Sequence, residues 1–194
     1  MKDLRSVLLP AASLISLLSL AACGGGGGAD QHKPDLAANA PDPLNFCPQV
    51  AVLQQAQTVT LFTPGRSDVA SRLSTAQITS LSGACAFKKK DKAPLLEVKF
   101  TNNFLADNGP ANNGQPVTLP WFVAITQGSH ILDKKEYRIT LKFNGNMSTT
   151  AATSKPVKID LPATPDSAKL EILTGFEMTP EQLSYAAAHP NAAP

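Results

Sequence analysis

Among the residues able to do chemistry, three cysteines (Cys23, Cys47, Cys85) and three histidines (His32, His130, His189) come first. A thiol can act as a nucleophile, an acyl acceptor or half of a disulfide, and an imidazole as a general base or a metal ligand. Neither Cys47 nor Cys85 has a neighbouring His or a Cys-x-x-Cys partner to favour its thiolate, so redox catalysis is not expected of them. Without a third Cys or a nearby His they also make a poor zinc set, and no metal or other cofactor is expected. His32 and His189 stand far out toward the two chain ends. His130, in Gln127-Gly128-Ser129-His130, reads as an exposed loop histidine because no nucleophile motif accompanies it. Ser80-Leu81-Ser82-Gly83 lacks the leading Gly of a nucleophile elbow. Asp107, Asp133 and Glu136 lie apart in loops and give no paired-carboxylate signature. No catalytic residue is assigned, and a non-enzymatic protein is expected.

Cys23 stands in a different context. Lys2 and Arg5 precede an apolar stretch from Val7 to Ala22, the charge-then-apolar order of a secretory signal. Pro10, Ser13, Ser16 and Ser19 interrupt that stretch, which falls short of the roughly 20 apolar residues of a spanning helix. Leu20-Ala21-Ala22-Cys23 sets small residues before a thiol that can accept a diacylglyceryl group, and it resembles the lipobox of bacterial lipoproteins. The resemblance implies that residues 1–22 are removed as a signal peptide and that Cys23 becomes the first residue of the mature chain. It further implies lipid on the Cys23 thiol and a second acyl group, such as palmitate, on its amine. Membrane held through that lipid, on the periplasmic side, is then the expected location. Gly24 stands where lipoproteins retained in the inner membrane of some bacteria carry Asp, which favours the outer membrane. Residues 23–43, with five glycines and an Asp, Ala and Pro mixture, read as a flexible tether reaching roughly 25 Å.

Removing Lys2, Arg5 and Asp3 leaves 15 basic and 14 acidic residues, a net charge of +1. That excludes nucleic-acid binding by bulk charge. The basic run Lys88-Lys89-Lys90-Asp91-Lys92 lies between two apolar segments and is expected as a solvated hairpin turn. With Cys23 lipidated, Cys47 and Cys85 remain as a pair, and an oxidising compartment makes their disulfide the expected state.

The remainder, residues 44–190, is long enough for one core, with 191–194 as a disordered tail. Alternation of apolar and polar residues marks strands. It is clearest over Leu96–Phe100, Tyr137–Phe143 and Val157–Leu161. Val117–Thr126 carries apolar residues on both faces, as a central strand does. Ala168–Phe176 and the less regular segments Gln57–Phe62 and Ala76–Phe87 complete about seven strands. The fold class is therefore all-β, a single immunoglobulin-like two-sheet β-sandwich, with a single twisted sheet or small barrel as the alternatives. Thr179-Pro180-Glu181-Gln182 combines an N-cap, a Pro at the first helical position and a Gln three residues on, which starts a short C-terminal helix ended by His189-Pro190. That helix either caps the domain or presents Leu183 and Tyr185 to a partner.

Cys47-Pro48, Pro64-Gly65, Gly83-Ala84-Cys85, Leu119-Pro120-Trp121-Phe122-Val123, Gly175-Phe176 and Thr179 to Leu183 together resemble a set of uncharacterised alphaproteobacterial envelope lipoproteins. The resemblance covers nearly the whole domain and implies an envelope location and one all-β domain, with no activity attached. The expected role is a membrane-anchored periplasmic lipoprotein that binds or supports another envelope component. A small-ligand or glycan-binding module using Trp121, Phe122 or Tyr137 is the alternative, with a hydrolytic enzyme behind it. Exposure of Trp121 separates the ligand reading from the core reading.

Overall fold

The computed structural model describes residues 45–90, 93–145, 147–190 and 192–194. The signal segment, Cys23, the tether with His32, Asp91, Lys92, Asn146 and Asn191 lie outside the described residues.

Two antiparallel-rich sheets face each other. The first is ordered β1-β9-β5-β6, from β1 (Gln49–Val52), β9 (Glu171–Phe176), β5 (Val117–Gln127) and β6 (His130–Leu141). In this sheet β1 runs parallel to β9, and the other pairs are antiparallel. The second sheet is a meander of β2 (Thr58–Phe62), β3 (Arg72–Lys90) and β4 (Ala93–Asp107). Its far edge is shared by two short strands lying end to end along β4: β8 (Val157–Pro162) against residues 95–100, and β7 (Thr149–Thr153) against residues 103–107.

This is the expected two-sheet sandwich. Among the described residues nine strands replace the expected seven, the additions being β1 and β7. β1 has four residues, too few for alternation to register, and β7 reads Thr-Thr-Ala-Ala-Thr, with no large apolar side chain. The layers are immunoglobulin-like, but the order differs. An immunoglobulin domain sends its second and third strands to opposite sheets, whereas here β2, β3 and β4 are neighbours in one.

Strand ends also move. β6 starts at His130 rather than near Tyr137, because an edge strand can be exposed on both faces and needs no apolar alternation. β9 starts at Glu171, since Pro165–Lys169 forms a 3-10 turn where the expected strand began. Lys88–Lys90 of the basic run end β3, with Lys90 paired to Ala93 at the start of β4.

The core is built from inward rows. On β4 the row is Leu96, Val98, Phe100, Asn102, Phe104 and Ala106, all buried. On β5 it is Val117, Leu119, Trp121 and Val123. Pro120 lies within β5 at no cost to the β6 ladder. Backbone N–H and C=O of one strand residue point to the same side, and the Pro120 carbonyl accepts from Glu177 N beyond the end of β9. The second face of β5 carries buried Ala124 and half-buried Phe122, whose ring lies 4.9 Å from the Lys134 ammonium.

Gly175 explains part of the Gly-Phe motif. A Cβ there would stand 2.6 Å from Ala56 Cβ and 3.1 Å from Phe122 Cε1. Only hydrogen allows the 3-10 turn Gln54–Ala56 to seat on β9.

The C-terminal helix α1 (Pro180–Ala188) forms as expected. Gln182 N donates to Thr179 Oγ1 and Thr179 N donates to Gln182 Oε1, a reciprocal capping box. Glu181 in the same turn is held below the usual glutamate range by hydrogen bonds from its own backbone N–H and from the Thr179 hydroxyl. That preference supports the helix start at neutral pH. It is lost as the pH falls through the lowered Glu181 value.

Candidate functional site

The side chains singled out in the sequence do not converge. Trp121 is 2% exposed, stacked on Tyr137 at 4.6 Å and edge-on to Phe104 at 5.7 Å. It is a core residue, which removes it from the ligand reading together with the face of Tyr137 stacked on it. His130 is exposed and pairs with Gln127 across the tight turn Gly128-Ser129, where Gly128 has φ +57°. His189 is the C-cap of α1, its ring stacked on Tyr185 at 4.0 Å and its Nδ1 2.9 Å from the Tyr185 carbonyl. Asp107 is engaged by Arg72 at 2.8 Å and accepts from Thr75 N, so it ties β3 to β4. Asp133 lies in the other sheet, 3.8 Å from Lys135 Nζ. Among the described residues no three His, Cys, Asp or Glu side chains gather as a metal set.

Cys47 and Cys85 do meet. Their sulfurs are in bonding geometry with Cα atoms 6.1 Å apart, linking the approach to β1 in one sheet with β3 in the other.

A hollow with both polar and apolar walls lies where α1 crosses β2, a groove of about 450 Å³. Tyr185 holds the helix there, its ring edge-on to Phe62 at 4.9 Å. Tyr185 is thus half-buried against its own sheet, while Leu183 one turn-face away is 47% exposed on the groove wall. The sheet side presents Gln57, Thr58 and Gln77, with Gln54 and Gln55 above them. Register makes this cluster: Thr58 pairs with Gln77, which brings Gln57 and Gln77, 20 positions apart, to one groove. Gln57 Nε2 donates to the Ile78 carbonyl at 3.1 Å, which fixes the side chain on the groove wall. No Asp, Glu, Lys or Arg lines the groove among the described residues. Such walls offer hydrogen-bond donors and acceptors without net charge, together with an aromatic pair. Nothing in the linear order pointed to these glutamines, because a polar residue on the outer face of a strand looks like any solvated residue until its register is known.

A second polar feature lies inside. Asn102, in the middle of the inward row of β4, is fully buried. Its Nδ2 donates to Thr174 Oγ1 on β9 at 2.7 Å, and that hydroxyl donates to the Phe122 carbonyl at 2.9 Å, so the link crosses from one sheet to the other. Asn102 sits opposite the gap between β7 and β8. There Ser154 Oγ accepts from Asn102 N at 3.0 Å and Ser154 N donates to the Asn102 carbonyl at 2.9 Å.

The described residues contain no helix long and apolar enough to cross a membrane. Comparison with protein-family models, with curated proteins and with solved structures returned no match.

Proposed function

We propose that this chain is exported, lipidated on Cys23 and held at the periplasmic face of the envelope, where its sandwich acts by binding or supporting another envelope component. The observation that carries this reading is Leu20-Ala21-Ala22-Cys23 at the end of a short apolar run headed by Lys2 and Arg5. A paired Cys47 and Cys85 in the domain is in keeping with an oxidising compartment. Cys23→Ser is expected to abolish incorporation of labelled palmitate and to release the protein from membranes after a high-salt wash. Retention of the Ser variant on washed membranes would mean that an uncleaved helix or a tight partner holds it. Fractionation of the native protein is expected to place it in the outer membrane, in line with Gly24 after the lipidated Cys.

A second reading is favoured by the uncharged walls of the α1–β2 groove. They suit a neutral polyhydroxyl ligand, bound through Gln57, Thr58 and Gln77, in place of the site at Trp121. Titration with N-acetylglucosamine oligomers, followed by NMR, is expected to move the Gln57, Gln77 and Leu183 signals. Shifts confined to other surfaces would eliminate the groove as that site.

A further inference from the structure

We infer that the end of the sandwich where the chain enters is a membrane seat, with Ile131 and Leu132 at the β5–β6 hairpin resting in the headgroup region of the bilayer. This rests on the lipid-anchor reading above and adds an orientation to it.

The strand register supplies the placement. The described chain begins at Asn45, and the Phe46 ring packs edge-on to Phe87 at 5.6 Å. Two residues past Cys47, Gln49 pairs with Glu171, Glu171 pairs with Thr126, and Thr126 pairs with Ile131. One row across the sheet therefore joins the entry point to the β5–β6 tip. In the opposite sheet, Cys85 bonds to Cys47 and β3 continues past it to Lys90, so the β3–β4 hairpin projects from the same end. The segment from the proposed lipidated Cys23 to Leu44 joins the domain here.

This end is also where apolar side chains are left in the open. Of the six large hydrophobic residues that stand exposed among the described residues, Ile131 (65%), Leu132 (55%) and Phe87 (37%) belong to it. Leu132 is the unpaired residue of a bulge, since Ile125 pairs with Asp133 and Thr126 with Ile131. A bulge re-aims a side chain away from the sheet. Three lysines nearby are paired: Lys88 is 2.7 Å from Glu97, Lys134 2.6 Å from Glu177 and Lys135 3.8 Å from Asp133. The contact is therefore assigned to the apolar pair and not to these paired lysines. The tether expected from the sequence, of roughly 25 Å reach, would keep the hairpin at high effective concentration near the bilayer, so a contact too weak to hold a free protein suffices for a tethered one.

The opposite half carries the groove. Gln77 lies eight positions up β3 from Cys85, about 26 Å at the strand rise. A seat at the entry end thus turns the α1–β2 groove away from the membrane.

The full chain, acylated in cells and reconstituted into phosphatidylcholine vesicles brominated on the upper acyl chain, provides the test. Ile131→Trp reports on the seat and Leu183→Trp on the far end, while Trp121 is buried and contributes a constant background. Bromine quenching is expected to be at least about twofold stronger at position 131 than at 183, because interfacial burial reaches only the first several ångströms of the bilayer. It should persist at high salt and without anionic lipid. Flotation with the vesicles but equal quenching at the two positions overturns the seat and leaves the anchor intact. Quenching that appears only with phosphatidylglycerol assigns the contact to lysines and overturns the apolar seat. A chain that does not float with the vesicles overturns both readings.

Discussion

Replacing Cys47 and Cys85 together by Ala is expected to lower the unfolding free energy by about 4 kcal/mol and the melting temperature by roughly 8–16 °C. The two residues are 38 apart in sequence, and closing a loop of that length removes much of the freedom of the unfolded chain. The native state adds a second reason. β1 is a four-residue edge strand whose ladder hydrogen bonds run to β9 alone, and Cys47 is the covalent link between its approach and the facing sheet. Without the bond, β1 and the Phe46–Phe87 contact are free to fray. Urea unfolding separates the two contributions: a steeper denaturant slope in the double variant marks a more expanded unfolded chain. Thiol labelling of native exported protein gives the direct check on the bond. Two thiols that react only after reduction support it, and two that react at once sink it.

Asn102→Asp should destabilise the fold by about 3–5 kcal/mol at neutral pH, the cost of an unpaired charge inside the sandwich. The change keeps the shape but replaces the amide that donates to Thr174 with a carboxylate that cannot, in a position with no exposed surface. Burial raises the pKa of the new carboxyl above its unfolded value, so the penalty is full above that raised value and fades as the pH falls toward about 4. Asn102→Leu is expected to cost less than about 1.5 kcal/mol. It leaves no charge, and the Thr174 hydroxyl keeps its acceptor on Phe122. The Asn102 Oδ1 has no hydrogen-bond partner to lose. Chemical denaturation of both variants across pH checks the pair. Equal losses for Asp and Leu, or an Asp penalty independent of pH, would refute the account.

The local elements were legible where a few neighbouring residues decide them. Thr179, Pro180 and Gln182 define the start of α1 through short-range hydrogen bonds and a fixed φ, and the helix starts there. The alternation in β4 and β8 and the two-faced pattern of β5 likewise follow from residues a few positions apart. β1 and β7 escaped because each is short and takes its conformation from its partners: β1 from β9, β7 from β4. The polar row position at Asn102 was present in the β4 pattern. Its meaning was not, because Thr174 lies 72 positions later and faces it only after the sheets pack.

By itself the sequence determined the all-β class, the helix cap, two domain cysteines available to pair and the signal-like segment ahead of Cys23. These follow from side-chain type, spacing and local backbone preference, all of which act over a few residues. The tertiary structure alone decided which cysteine-bearing elements face each other, that Trp121 is core, and that Gln57 and Gln77 share a groove wall beneath Leu183. It also decided that the entry of the chain and the Ile131–Leu132 tip occupy one end. Each of these depends on strand register and sheet order. Those are set by summed packing and hydrogen bonding between segments tens of residues apart, and no short window of sequence contains that sum.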